Sequence, residues 1–261
     1  MEIIVCLKQV PGTTEVKIDP ETNTLIRQGI KNVVNPFDSY ALEEGIRIRE
    51  KLGGKVTVFT MGPPQAEEML REAISLGADA AVLLSDREFA GADTWATAYT
   101  LAAAVKKAGE CGLVICGRQS IDGDTGQVGP EMAEMLGLPF IAYVSAVEEI
   151  SETNMTVRRM VEEGHEVLET KLPALMTVTK EINLPRLPSL RGKMNAKKAE
   201  IPVWTAADLP VEKDKLGLSG SFTQVTKIFF PKRASGGQML EGEPAEKVEK
   251  LVAKLKSANL I

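Results

Sequence analysis

Up to residue 140, short apolar runs alternate with stretches of helical spacing. Ile3–Leu7, Val56–Thr60, Ala80–Leu84 and Leu113–Cys116 are rich in Val, Ile and Leu with little polar alternation, as expected for strands covered on both faces. Between them, Phe37, Ala41, Leu42, Gly45, Ile46 and Arg49 recur at helical spacing and predict a helix over Phe37–Leu52, stopped by Gly53-Gly54. Pro63-Pro64 opens a second helix through Gln65–Leu76, closed by Gly77. Asp93 or Thr94 caps an Ala-rich third through Ala108, closed by Gly109. This alternation predicts an α/β fold with a doubly wound, mostly parallel sheet.

After about Ala142 the pattern changes. Met155–Glu162 and Glu166–Lys171 flank Glu163-Gly164 and read as an antiparallel hairpin, and Ala174–Thr179 as another strand. Asn183–Gly192 is interrupted by Pro185 and Pro188, which exclude a continuous helix or central strand. A basic cluster follows at Lys193, Lys197 and Lys198. Residues 210–243 carry little periodicity and read as an extended arm, before a final amphipathic helix over Glu243–Lys256. The expected division is an α/β nucleotide-binding domain over residues 1–205, with a surface loop at 184–198, and a C-terminal arm over 206–261.

Composition narrows the chemistry. The 261 residues are 44% apolar, enough for a sizeable core. A net charge of -5, from 31 Lys plus Arg against 36 Asp plus Glu, argues against a nucleic-acid partner. Cys6, Cys111 and Cys116 cannot all pair, and each lies in or beside an apolar run, so reduced, buried thiols in a cytoplasmic protein are expected. The opening apolar stretch is too short for a signal peptide or a spanning helix. The single histidine, His165, sits between two strand-like runs and reads as a solvated turn residue. One copy excludes a multi-histidine metal site, no Cys-x-x-Cys exists, and no metal is expected. The chain is short of catalytic side chains.

The densest signal is Cys116-Gly117-Arg118-Gln119-Ser120-Ile121-Asp122-Gly123-Asp124-Thr125-Gly126-Gln127-Val128-Gly129-Pro130, between a strand and a helix expected over Glu131–Leu136. Gly-rich junctions of this kind bind phosphates, because glycine permits close approach and the helix N-terminus offers unpaired N–H groups. The spacing is neither the dinucleotide fingerprint nor a Walker loop, and a loop needing only positive φ remains an alternative. Asp122 and Asp124 suit hydroxyl, ring-nitrogen or backbone-turn contacts better than phosphate. Asn32–Asp38, Met61-Gly62-Pro63-Pro64 and Gly91-Ala92-Asp93-Thr94 follow other strands at the same edge. Singly each reads as a cap or turn. Together they favour one nucleotide crevice.

Those segments resemble the small (beta) subunit of electron transfer flavoproteins. The resemblance runs through Val5-Cys6-Leu7-Lys8-Gln9-Val10-Pro11, Asn35-Pro36-Phe37-Asp38, Met61-Gly62-Pro63, Gly117 through Pro130, Lys171-Leu172-Pro173-Ala174 and Leu190 through Lys198, in the family's order and over nearly the whole chain. It implies an adenine nucleotide hydrolase-like fold and a heterodimer. In that heterodimer a larger alpha subunit carries one FAD and the beta subunit a second nucleotide: AMP in ordinary members, a second FAD reduced by NADH in electron-bifurcating ones. Gly91–Thr94 and Gly123–Pro130 resemble the bifurcating branch.

By position the resemblance places Cys6, Asn35, Asp38, Met61, Thr94, Thr97, Asp122, Gly123, Asp124, Thr125, Gly126, Gln127, Val128 and Gly129 around the nucleotide. It brings Phe37 toward the alpha-subunit flavin. It makes Leu190, with Arg191 and Lys193, the docking element for a flavin dehydrogenase of acyl-CoA, enoyl-CoA or lactate type. Electrons from NADH would divide between that dehydrogenase and a low-potential ferredoxin or flavodoxin, with no acid–base group from this chain. Many relatives have an acidic residue after the hairpin arginine, whereas Arg159 is followed here by Met160, so no contact is carried over there. An ordinary AMP-holding subunit is the alternative, and a nucleotide-binding hydrolase or stress-response module the alternative of another class.

Overall fold

Element order in the computed structural model, which describes residues 1–12, 17–18, 25–26, 32–227 and 236–261, follows the alternation of apolar runs and helical stretches. Strand β1 (Glu2–Cys6) leads to four short strands, β2 (Gln9–Pro11), β3 (Lys17–Ile18), β4 (Leu25–Ile26) and β5 (Asn32–Val34), with β2 antiparallel to β5 and β3 to β4. Next come α1 (Pro36–Leu52), β6 (Lys55–Met61), α2 (Glu67–Leu76), β7 (Ala80–Leu84), α3 (Thr94–Ala108), β8 (Leu113–Gly117) and α4 (Val128–Leu136). The chain continues through β9 (Phe140–Ile150), β10 (Asn154–Val161), β11 (Gly164–Lys171), β12 (Ala174–Val178), α5 (Leu190–Lys198), β13 (Val203–Trp204), the single turn α6 (Gly217–Gly220) and α7 (Pro244–Ser257).

Among the described residues nine strands form one sheet in the order β11-β10-β9-β12-β8-β1-β6-β7-β13. All neighbours are parallel except β9–β10 and β10–β11, the antiparallel pairs around the hairpin. Alternating side chains of the central strands feed two cores. Ile3, Val5 and Ile115 meet the apolar stripes of α1 and α2, while Ile4, Cys6, Val114 and Cys116 meet those of α3 and α4. Helix α1 lies so close to β1 that a Cβ on Gly45 would stand 2.9 Å from Val5 Cγ2. Because β6 and β8 flank β1 on opposite sides, the chain reverses its winding there and opens a crevice beyond the C-terminal ends of β1 and β8.

Several expectations are corrected. The eleven-residue β9 escaped the sequence pattern because its alternation is broken: the register against β10 slips between Arg158 and Arg159, and Tyr143 takes a left-handed φ of 60°. The loop expected through Lys198 ends at Ser189, whose side chain caps Gly192 N–H at 2.9 Å, and Leu190–Lys198 is helical. Pro188 is the last residue that forbids helix; the glycine and four charges after it hid the signal. Helix α4 begins at Val128 rather than Glu131, so Val128-Gly129-Pro130 form its first turn. His165 lies on β11, exposed.

The described chain divides into two compact units, Met1–Thr226 and Lys227–Ile261. Ala206, Leu209 and Leu216 are buried with Phe89 and Val105 in the first unit, so the stretch after Thr205 contributes to that core. Part of the expected arm, residues 228–235, lies outside the described residues. In the second unit α7 starts at Pro244, carries Glu246 in its first turn and Lys254 and Lys256 in its last, as the helix dipole favours. Among the described residues no helix is long and apolar enough to cross a membrane. Nor does any group of three His, Cys, Asp or Glu gather there as a metal site.

Candidate functional site

The crevice is built from two hydrogen-bonded groups joined by the Gly-rich loop after β8. The first centres on Asn35, buried just ahead of α1. Its Nδ2 donates to Asp38 Oδ1 at 2.9 Å and to the Gln119 carbonyl at 2.8 Å, and its Oδ1 accepts from Ile121 N–H at 3.2 Å. One amide thereby ties the β8 loop to the start of α1. Asp38 Oδ2 accepts from Lys8 N–H at 2.6 Å, adding the end of β1. Burial pushes the Asp38 carboxyl up to about 7 in spite of those two donors.

Lys8 Nζ reaches over the same loop, 2.7 Å from Asp122 Oδ1 and 3.3 Å from Ser120 Oγ. Burial alone would raise the Asp122 carboxyl, but the Lys8 bond and charge outweigh it and hold the group below the usual range. Gln119 donates to Asp124 Oδ1, and Asp124 N–H closes a turn on the Ser120 carbonyl at 2.8 Å with Asp124 at φ 56°. Both loop carboxylates are therefore engaged by side chains of the protein itself. Lys8 and Gln119 escaped the reading of the residues one by one. A lone cation after a buried strand becomes informative only once β1 and β8 are known to be neighbours.

The second group lies where two helices begin. Asp93 caps α3 by accepting Ala96 N–H at 3.0 Å. Thr94 Oγ1 donates within 3.1 Å of Glu131 Oε1 and lies 3.4 Å from Gln127 Oε1. Burial raises the Glu131 carboxyl against the bond from Thr94, and Glu131 Oε2 is buried with no partner among the described residues. Glu131 was read only as the first residue of a helix, and nothing in its local pattern marks it as part of a site.

The other expected residues divide by environment. Gly123, Thr125 and Gln127 are exposed along the loop, and Gly126 adopts a φ of 65° that only glycine takes freely. Gly129 is buried for a different reason. A Cβ there would stand 2.5 Å from Thr177 Cγ2, so its missing side chain lets α4 lie on β12. Val128 is half-buried beside it. Cys6 lies opposite Cys116 across the β1–β8 ladder, both buried and free. The contact with Cys116 and burial together push the Cys6 thiol up, so it stays protonated and is no nucleophile. Met61 ends β6, and Thr97 lies one turn into α3 with its N–H on the Asp93 carbonyl at 3.0 Å. At the same sheet edge the Arg118 guanidinium lies 5.9 Å from the Phe37 ring centre and 5.1 Å from that of Tyr143. Leu190, Arg191 and Lys193 lie on the first turn of α5, which packs on α2, with Leu190 78% exposed.

The site thus offers backbone donors, two helix N-termini and carboxylates that, Glu131 Oε2 aside, have partners, with no nucleophile–base pair among the described residues. The electron transfer flavoprotein domain matches residues 22–209. An electron transfer flavoprotein subunit beta from Thermoanaerobacterium thermosaccharolyticum is 52% identical over 262 residues, covering 100% of both chains. The caffeyl-CoA reductase-Etf complex subunit CarD of Acetobacterium woodii is 48% identical over 263 residues, again 100% of both. Protein FixA of Azorhizobium caulinodans is 43% identical over 98% of this chain and 94% of its own. The chain belongs to the electron transfer flavoprotein family, as a beta (small) subunit.

Proposed function

We propose that this chain is the small subunit of an electron-bifurcating flavoprotein and that its crevice holds FAD. One observation carries the reading. The two segments that resemble the bifurcating branch, Gly91–Thr94 and Gly123–Pro130, meet through the contacts of Thr94 with Gln127 and Glu131, where the N-termini of α3 and α4 converge. Two positive helix ends suit two linked phosphates, which FAD has and AMP lacks. The first N–H groups of each helix have no carbonyl within it to bond. The residues present therefore fit a dinucleotide.

Bound there, the flavin would supply the redox chemistry, taking two electrons from NADH and parting with them singly. The chain's own residues bind and orient. Asn35 and Lys8 fix the loop, Thr94 and the α4 N-terminus hold phosphate, and N–H groups around Gln127–Gly129 set the polarity near the ring. Phe37, with Arg118 against its face, marks the edge offered to the alpha-subunit flavin. The arm and α7 pack on that alpha subunit. Leu190 on α5 receives a flavin dehydrogenase, with ferredoxin or flavodoxin as the other acceptor, in the cytoplasm. The Asp122→Ala, Thr125→Val double variant is expected to lose at least half of the flavin held by this subunit while the alpha-subunit flavin stays. Unchanged total flavin would overturn the placement.

A further inference from the structure

We propose that Arg186 is a positioning residue that clamps the dehydrogenase-docking segment onto α1, an inference that rests on the docking role given to Leu190. Segment Asn183–Ser189 has no regular structure, yet it displays large apolar side chains to solvent: Leu184 is 80% exposed and Leu187 88%. A loop of this composition gains nothing by extending into water, so something must hold it there.

The holding groups are carboxylates in the middle of α1, where an outward face would be solvated. Glu43 is only 4% exposed and Glu44 7%. Arg186 Nε and Nη2 donate to the two Glu43 oxygens at 2.8 and 3.2 Å, and Nη1 and Nη2 to the two Glu50 oxygens at 2.6 and 3.0 Å. The Arg186 backbone N–H adds a bond to Glu43 Oε2 at 3.1 Å. One planar guanidinium thus grips two carboxylates two helical turns apart, which lysine cannot reproduce. Asn183 Nδ2 binds Glu44 Oε2 at 2.9 Å and the Tyr40 carbonyl at 3.0 Å, fixing the other end.

Beyond the loop, α5 is seated independently on α2. A Cβ on Gly192 would fall 2.1 Å from the Ser75 carbonyl oxygen, and Arg71 Nη1 donates to the Ala196 carbonyl at 2.6 Å. A cleft of about 630 Å³, lined by Arg49, Asp79, Arg186, Arg191 and Asn195 among others, lies between the loop and the end of α2. The clamp fixes the loop at one edge of that cleft, where Arg186 borders it. It orders the leucines before a partner arrives and removes that ordering cost from docking.

The test uses the assembled heterodimer and whichever acyl-CoA, enoyl-CoA or lactate-type flavin dehydrogenase the wild type reduces fastest. Arg186→Gln is expected to raise the KM for that dehydrogenase at least tenfold with kcat nearly unchanged. Flavin content and reduction by NADH stay at wild-type values, and hydrogen exchange quickens at the amides of residues 184–189. Glu43→Gln and the double variant should match it without adding, because all three break one clamp. Glu50→Gln, at a more exposed carboxylate, gives a smaller rise and guards against loss of folding. Arg186→Lys should recover only part. If Leu190→Ala raises KM while Arg186→Gln and Glu43→Gln do not, the clamp is wrong and docking stands. If Leu190→Ala leaves KM unchanged, or none of the three dehydrogenases is reduced, the docking role itself fails.

Discussion

Gly117→Ala is expected to lower stability by about 2–3 kcal/mol and to empty the crevice, the largest effect of any single methyl group at this site. Gly117 ends β8 directly beneath the first turn of α1. A Cβ there would lie 2.2 Å from Asp38 Oδ1, 2.7 Å from the Phe37 carbonyl carbon and 2.8 Å from Asp38 N. Two of those atoms are backbone, and the third belongs to a carboxylate held by Lys8 and Asn35, so none can yield cheaply. Helix α1 must lift, and with it the Asn35 bonds that hold the β8 loop. Gly123→Ala is the control. Its Cβ would meet only Ser120 Oγ at 3.5 Å, an ordinary contact, and stability should stay within about 0.5 kcal/mol of wild type. Thermal unfolding of both variants decides the matter, and equal melting temperatures would contradict the packing described.

The second large effect is a pH dependence owed to Asp38. Its carboxyl is pushed up to about 7 by burial, from the 3.8 of an exposed aspartate. The folded state therefore binds a proton that the unfolded chain has released. The resulting stability is fully present below 3.8 and is lost as pH rises through 7. Measured against Asp38→Asn, wild type should lose about 2–3 kcal/mol between pH 5 and pH 8. The difference between the two proteins isolates this group from carboxylates such as Asp122 and Glu50, which are held below their usual range and act in the opposite sense. Urea midpoints at the two pH values provide the measurement. Parallel curves for the two proteins would show that Asp38 is not buried as described.

How much could be read from the residues depended on how local each cause was. The strands β1, β6, β7 and β8 and helices α1 to α3 follow from runs of apolar residues, caps and stopping glycines, all within a few positions of one another. The β8 loop announced itself by its glycines. What escaped depends on contacts between distant parts of the chain. Tyr143 at positive φ and the bulge beside it mean something only against β10 and β12. Nothing in the neighbourhood of Glu43 and Glu44 marks them as buried, because their partners, Arg186 and Asn183, lie more than a hundred residues away. Lys8 and Glu131 likewise acquire partners through sheet order and helix packing, not through their neighbours in sequence. Gly129 owes its missing side chain to Thr177 beneath it, a neighbour that only the packing of α4 on β12 reveals.

The central claim, that the small subunit carries a flavin of its own, is tested most directly by counting nucleotides. The chain should be purified with its alpha subunit, and the nucleotides released by denaturation separated and quantified per heterodimer. The expected result is two FAD and no AMP. One FAD with one AMP would contradict the bifurcating assignment.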